Sequence, residues 1–175
     1  LSALKKLGMK YELKNGYILA KSKGKLKGTK INFPNISVGA TENSIIAACL
    51  AKGKTTLKNC AIEPEIKDLT NFLNKAGAKI SWSGRVCKIT GVNSLNRIEY
   101  SVMADRIEAG TFCVAATLAK GNLQIKNLQP EVITTELNLL KKAGAKIKTS
   151  KNKILIKGPD KIKSIKNIKT REFPG

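Results

Sequence analysis

Much of this chain is written twice, and that repetition limits its fold more than any other feature. "LAKG" at Leu50–Gly53 returns at Leu118–Gly121, and "LKN" at Leu57 returns as "IKN" at Ile125, both 68 residues on. "EPEI" at Glu63–Ile66 returns as "QPEV" at Gln129–Val132, and "KAGAKI" at Lys75–Ile80 returns unchanged at Lys142–Ile147. Four anchors in one order, separated by small insertions, mean that one structural unit is repeated. The N-terminus holds half of a further copy, since "LKKLGMKYELKNGYILAK" (4–21) lines up with "LKKAGAKIKTSKNKILIK" (140–157). The natural protein is therefore expected to extend upstream by at least half a unit.

Within a copy the elements read in order. A leading strand, "TKINFPNIS" or "RIEYSVMA", feeds a first helix, and a short strand, "KTTLKNC" or "NLQIKNL", follows. Pro64 or Pro130 then opens a second helix, where the missing N–H costs nothing, and Glu65 or Glu131 sits at its positive end. Gly77 and Gly144 stop these helices as left-handed caps, and a hairpin ends the copy. Asn15-Gly16 marks the turn of the hairpin in the partial copy. The expected unit is βαβαββ, with residues 1–26 the end of a truncated unit, 27–92 and 93–160 two further units, and 161–175 a crossing segment.

The two helices of a copy differ in kind. The second is amphipathic, with Ile66, Leu69, Phe72, Leu73 and Ala76 on one face. The first, "ENSIIAACLA" or "GTFCVAATLA", is apolar nearly all round and predicts burial on every side. The fold class that follows is α/β, with the first helices clustered at a centre and walled by sheets, an inside-out α/β barrel.

Charge and composition exclude more than they assign. The formal net charge is +21, but the four arginines (Arg85, Arg97, Arg106, Arg171) are scattered and the lysines run through every segment. A nucleic-acid binder concentrates its cations on one face with interleaved aromatics; with aromatics at 5% and no stacking series, nucleic acid is an unfavoured partner. No apolar stretch is long enough to span a membrane. The absence of histidine removes the usual general base and the commonest metal ligand. Cys49, Cys60, Cys87 and Cys113 are too widely spaced for a CxxC motif and read as small core hydrophobes.

The runs "SVGATENSIIAACLAKG", "EPEIKDLTNFLNKAGAKI" and "DRIEAGTFCVAA" resemble the enolpyruvyl transferases, in the branch that acts on UDP-N-acetylglucosamine. The resemblance runs from Leu1 to Gly175. It implies a protein of two inside-out domains with the active site between them, and places this chain over most of one domain, with the second domain as its partner. It implies transfer of the enolpyruvyl group of phosphoenolpyruvate to the 3′-hydroxyl of UDP-N-acetylglucosamine, with phosphate released. No metal or redox cofactor is implied, and the location implied is cytoplasmic, in peptidoglycan synthesis. Two alternatives stay open: the shikimate-pathway branch of the same fold, and a basic nucleic-acid-binding α/β domain.

Site residues follow at two levels. Physically, Gly39 allows close approach to the backbone, a helix starts around Thr41, and Thr41 can cap it; such a start suits a phosphate, though a plain strand-to-helix turn reads the same way. By resemblance Asn35, Ile36, Ser37, Val38 and Gly39 line the UDP-sugar pocket, with Asn35 standing where some members carry lysine. Glu63, Asp105 and Arg106 read as helix-end charges and, by resemblance, lie toward the interdomain cleft. Thr111 is expected to start its helix as Thr41 does. The resemblance puts the family's catalytic Cys or Asp loop, its Lys-Asn pair and its phosphoenolpyruvate arginines upstream of Leu1, and its "FPTD" aspartate beyond Gly175. The chain alone is expected to be inactive.

Overall fold

The computed structural model describes residues 1–170 and Phe173. The chain divides into two compact units, residues 1–101 and 102–175. In the first, helix α1 (Ser2–Lys6) is followed by the hairpin β1 (Lys10–Lys14) and β2 (Tyr17–Lys21). Asn15 and Gly16 both take positive φ, 51° and 78°, and Leu13 pairs with Ile18 across the turn. That is the two-residue turn whose twist matches the strands it joins.

The next elements are β3 (Lys30–Asn32), α2 (Val38–Cys49), β4 (Lys54–Lys58), α3 (Pro64–Lys75), β5 (Lys79–Ser83) and β6 (Val86–Thr90), so this copy is βαβαββ as its sequence predicts. They form a sheet of order β3-β4-β6-β5, with β3 parallel to β4 and the other pairs antiparallel. A parallel pair needs a crossover, and α2 supplies it. Both α2 and α3 consequently begin beyond the C-terminal ends of β3 and β4. Leu57, Cys87, Ile89 and Ile80 turn their side chains into a core shared with Ile45, Cys49, Ile66 and Leu73, while Lys54, Lys79 and Lys88 alternate outward.

The second unit contains α4 (Arg106–Leu118), β7 (Asn122–Lys126), a 3₁₀ turn (Pro130–Ile133), α5 (Thr134–Lys142), β8 (Lys146–Ser150) and β9 (Lys153–Lys157). Its sheet has the order β7-β9-β8, all antiparallel. Here the sequence reading needs correction: "RIEYSVMA" forms no strand among the described residues. The start of this stretch is tied along α3 instead. Tyr100 donates its hydroxyl to Asp68 (2.7 Å) and meets the Phe72 ring edge-on at 5.5 Å, and Lys75 donates to the Glu99 carbonyl (2.8 Å). Phe72 thus lies at the margin of the α3 face, covered by Tyr100, rather than in the core.

Both units end the same way. The N–H of Gly91 donates to the Gly53 carbonyl, as that of Gly158 donates to Gly121, each at 2.9 Å. Asn96 N–H then reaches the Ala76 carbonyl (2.8 Å), as Lys163 N–H reaches that of Ala143 (2.9 Å). Glycine is required at this crossing. A methyl group at Gly91 would overlap the Ala51 carbonyl oxygen, and one at Gly158 would lie 2.5 Å from that of Ala116.

The first helices also depart from expectation. Within its unit α2 buries one stripe, Thr41, Ser44, Ile45, Ala48 and Cys49, leaving Ile46 and Leu50 exposed. Likewise α4 buries Ala109, Cys113 and Thr117 and exposes Phe112, Val114 and Leu118. A single sheet covers only about one side of a helix, so the burial on every side read from the sequence is not reached here. All four cysteines are free and buried. Burial pushes the Cys49 and Cys60 thiols up to about 11 and raises those of Cys87 and Cys113 too, which removes the nucleophilic thiolate.

Candidate functional site

The N-terminus of α2 begins one turn before the position its sequence suggests. Ser37, in extended backbone (φ −146°, ψ 121°), is the N-cap, and its Oγ accepts from the Ala40 N–H at 3.3 Å. Thr41 lies inside the helix. Its hydroxyl donates to the Ser37 carbonyl (2.8 Å) and accepts from the Ala61 N–H (3.0 Å), so it is a brace between two loops rather than a cap. The correction has a simple cause: a β-branched hydroxyl one turn into a helix can reach back to the i−4 carbonyl.

Further bonds fix the same corner. Phe33 N–H donates to the Lys58 carbonyl (3.1 Å), and Asn59 Nδ2 donates to the Phe33 carbonyl (3.0 Å). Asn59 adopts φ 59° to do so, a conformation asparagine tolerates better than most residues. Arg85, in the β5–β6 turn, donates from Nη1 to the Cys60 carbonyl, and Cys60 N–H donates to the Arg85 carbonyl, each at 3.0 Å. The loops after β3 and β4 are thereby held side by side, with the starts of α2 and α3 at one edge of the unit. Crevices at the C-terminal ends of parallel strands are where α/β sheets bind ligands.

Asn35, Ser37 and Gly39 are exposed on this edge, whereas Ile36 and Val38 are half-buried and pack on the core. Nothing lies within 4 Å of where a Gly39 side chain would stand. With the serine oxygen occupied by Ala40, the Val38 and Gly39 amides have no intrahelical acceptor, as in any first turn. Their partial positive charge faces outward. Such a start can accept an anionic oxygen.

Glu63 stands beside this edge at the N-cap of α3, without a side-chain capping bond. It is nine-tenths buried. Glu42, half-buried on the second turn of α2, has its carboxyl raised above the usual range by burial first and then by the charges of Glu65 and Glu63. Sequence reasoning missed Glu42, Asn59 and Arg85. The doublet "TE" inside the helix motif and the repeated "KN" were the only signals for the first two, and the meaning of neither appears until the loops meet.

Asp105 and Arg106 belong to the second unit. Asp105 caps α4, its Oδ1 accepting from the Ile107 (2.8 Å) and Glu108 (3.1 Å) amides. Arg106 is the first residue of the helix, its guanidinium 5.3 Å from the centre of the Phe173 ring. Thr111 is not at the helix start: it lies in the second turn and donates to the Ile107 carbonyl (2.8 Å). The structure thus brings Asn35–Gly39 and Glu63 together within one unit, and puts Asp105 and Arg106 in the other.

The family model described as EPSP synthase (3-phosphoshikimate 1-carboxyvinyltransferase) matches residues 1–174. The chain belongs to the EPSP synthase family. Among curated members it is 59% identical over its whole length to the UDP-N-acetylglucosamine 1-carboxyvinyltransferase of Pelagibacter ubique (strain HTCC1062). It is 45% identical over its whole length to the protein of that name from Geotalea uraniireducens (strain Rf4). The chain spans 42% of the length of each. In fold it is similar to the enolpyruvyl transferase NikO from Streptomyces tendae, with a TM-score of 0.77 at 19% identity, over 91% of this chain and 41% of that one. An EPSP synthase from Acinetobacter baumannii aligns with a TM-score of 0.66 at 19% identity, over 94% of this chain and 40% of that one. These structures give the family its mixed α/β fold. Among the described residues no helix is long and apolar enough to cross a membrane.

Proposed function

We propose that the protein to which this chain belongs transfers the enolpyruvyl group of phosphoenolpyruvate to the 3′-hydroxyl of UDP-N-acetylglucosamine, releasing phosphate, in the cytoplasm. The observation that carries the proposal is the 59% identity, across the whole chain, to a relative named for that reaction. The geometry supports it: a serine-capped helix start at Asn35–Gly39, open to the outside, suits an anionic oxygen of a nucleotide sugar.

In this reading Ser37 leaves the Val38 and Gly39 amides free for the ligand, Gly39 keeps the approach clear, and Thr41 with Asn59 holds the loop rigid. Glu63, Asp105 and Arg106 are second-tier candidates, with no contact to the ligand assigned. No residue of the chain is assigned to the chemical step, which needs positioned cations and a proton donor at the enolpyruvyl carbon. The chain is one wall of a pocket that a second domain completes, and its first helices, with their exposed Ile46, Leu50, Phe112 and Leu118, form the centre of an inside-out barrel. The units 1–26, 27–92 and 93–160 are copies of one pattern, with 161–175 leading toward that second domain.

Phosphate release by the full-length protein tests this, with phosphoenolpyruvate and either UDP-N-acetylglucosamine or shikimate 3-phosphate as acceptor. Release only with the nucleotide sugar is the expected result. Release only with the shikimate ester keeps the family and overturns the substrate.

A further inference from the structure

Four asparagines of this chain precede a small residue: Asn15-Gly16, Asn43-Ser44, Asn59-Cys60 and Asn93-Ser94. A small follower lets its backbone nitrogen reach the asparagine side-chain carbonyl carbon, and glycine, with no Cβ, hinders that approach least. In three of the four the fold ties the reacting groups down. Asn43 Nδ2 donates to the Gly39 carbonyl (2.7 Å) within α2. Asn59 Nδ2 donates to the Phe33 carbonyl (3.0 Å), and the Cys60 N–H that would attack it donates to the Arg85 carbonyl (3.0 Å). Asn93 Oδ1 accepts from Lys25 Nζ (3.3 Å). Asn15 differs on each count. It and Gly16 are exposed at the tip of the β1–β2 hairpin, just beyond the last paired residues Lys14 and Tyr17. Among the described residues none holds the Asn15 side-chain amide, and the Gly16 N–H meets no backbone acceptor. Nothing lies within 4 Å of where a Gly16 side chain would stand.

We propose that Asn15 is a self-modification site, at which the folded protein loses the side-chain amide and the β1–β2 hairpin is irreversibly switched open. The Gly16 nitrogen, its proton passing to hydroxide, bonds to the Asn15 side-chain carbonyl carbon. The bond from that carbon to the amide nitrogen breaks, and the nitrogen takes a proton from water and leaves as ammonia. A five-membered imide remains. Water then opens either of its carbon–nitrogen bonds, giving aspartate or isoaspartate. In sum, one amide and one water become one carboxylic acid and one ammonia, with no oxidant and no catalyst beyond hydroxide. Both products place a carboxylate at the tip beside Lys14. They differ in the main chain: isoaspartate routes it through the former side-chain carbonyl and so adds one carbon to the turn. The pairing of Leu13 with Ile18 and of Lys14 with Tyr17 is set by a two-residue turn. The isoaspartyl form therefore opens the hairpin, whereas aspartate before glycine favours the same turn and leaves it closed. None of this depends on which substrate the protein takes.

The test incubates the full-length protein in mildly alkaline buffer, folded and, in parallel, unfolded in guanidinium chloride. Peptide mass spectrometry then follows each asparagine through the exchange of its amide nitrogen for oxygen. Asn15 should convert in the folded protein ahead of Asn43, Asn59 and Asn93, at a rate within about tenfold of that in denaturant, a difference of about 1.4 kcal/mol in barrier. A larger gap would mean that the turn, or another part of the protein packed on it, withholds Asn15, and the proposal falls. It falls equally if Asn43 or Asn93 converts as fast as Asn15 in the folded protein. Main-chain fragmentation, checked by labelling with an isoaspartate-specific methyltransferase, separates the two products. The switch is then read by hydrogen exchange of the β1 and β2 amides. They should exchange faster in the aged isoaspartyl protein than in freshly purified Asn15→Asp, which carries the new charge on an unlengthened main chain. Equal exchange in the two would overturn the opening of the hairpin.

Discussion

The helices α2 and α4 occupy the same place in two copies of one unit, and their N-caps, Ser37 and Asp105, fall at the repeat offset of 68 residues seen in "LAKG". The caps differ in charge. At α4 a carboxylate takes two first-turn amides, at 2.8 and 3.1 Å, and its negative charge answers the dipole. At α2 a neutral hydroxyl takes one amide, at 3.3 Å, and no acidic residue lies in the first turn. One start is finished within its own sequence; the other is left able to accept an anion. A duplicated scaffold has been kept in both places, with a charged cap on one helix and a neutral cap on the other.

The largest effect that would break this comparison comes from giving α2 the cap of α4. If the α2 start is the proposed anion site, Ser37→Asp in the full-length protein sets a carboxylate against the proposed nucleotide-sugar ligand, and like-charge juxtaposition costs several kcal/mol. The apparent affinity for the nucleotide sugar should fall by about 100-fold or more, measured as KM in the phosphate-release assay or by calorimetry. Binding at the native level would mean that the α2 start is not the anion site.

Next in size are the glycines that close each copy. Gly91→Ala and Gly158→Ala each drive a methyl group into a backbone carbonyl. Overpacking of this kind costs about 1–3 kcal/mol or more, with Gly91→Ala the worse of the two because its overlap is the deeper. Urea unfolding of the full-length variants measures both. Equal, small losses would show that the crossings are looser than drawn.

Smaller again are the caps as stabilising groups. Asp105→Ala should cost about 1 kcal/mol, and Ser37→Ala less, since its one bond is long. A larger loss at Ser37 would reverse the claim that α4 is the better-capped helix.

The smallest effect is the pH dependence of Glu42. Its carboxyl is raised in the folded protein, so the native state holds the proton more tightly than the unfolded chain does. That contribution is present in full below the unfolded value and is lost as pH rises through the raised folded value. Glu42→Gln should therefore be modestly stabilising at pH 7, with the gain shrinking as pH falls toward 4. Unfolding free energies at the two pH values check the sign.

Much of this was legible in the residues themselves. The repeat, the Asn15-Gly16 turn, the Pro64 helix start and the Gly77 and Gly144 stops depend on a few neighbouring residues, and each stands where its sequence puts it. The βαβαββ order of the first full copy was read correctly for the same reason. The second copy lost its leading strand because Tyr100 and Glu99 found partners on α3, more than twenty residues back, and no local pattern announces such a competition. Thr41 was misread as a cap because a threonine near a helix start looks alike whether it caps or braces; its Ala61 partner, twenty residues on, decides which.

The candidate site divides along the same line. Sequence alone determined that a glycine-containing strand-to-helix junction exists at Asn35–Gly39, since the residue types that favour such a junction act through their own backbone. Only the tertiary structure decided that Ser37 is its cap, that Asn59 and Thr41 lock it to the next loop, and that Glu42, Glu63 and Glu65 share one corner. Those outcomes depend on which loops the parallel pairing of β3 with β4 brings side by side. Charge–charge energies fall with distance through space, and the sequence records only distance along the chain.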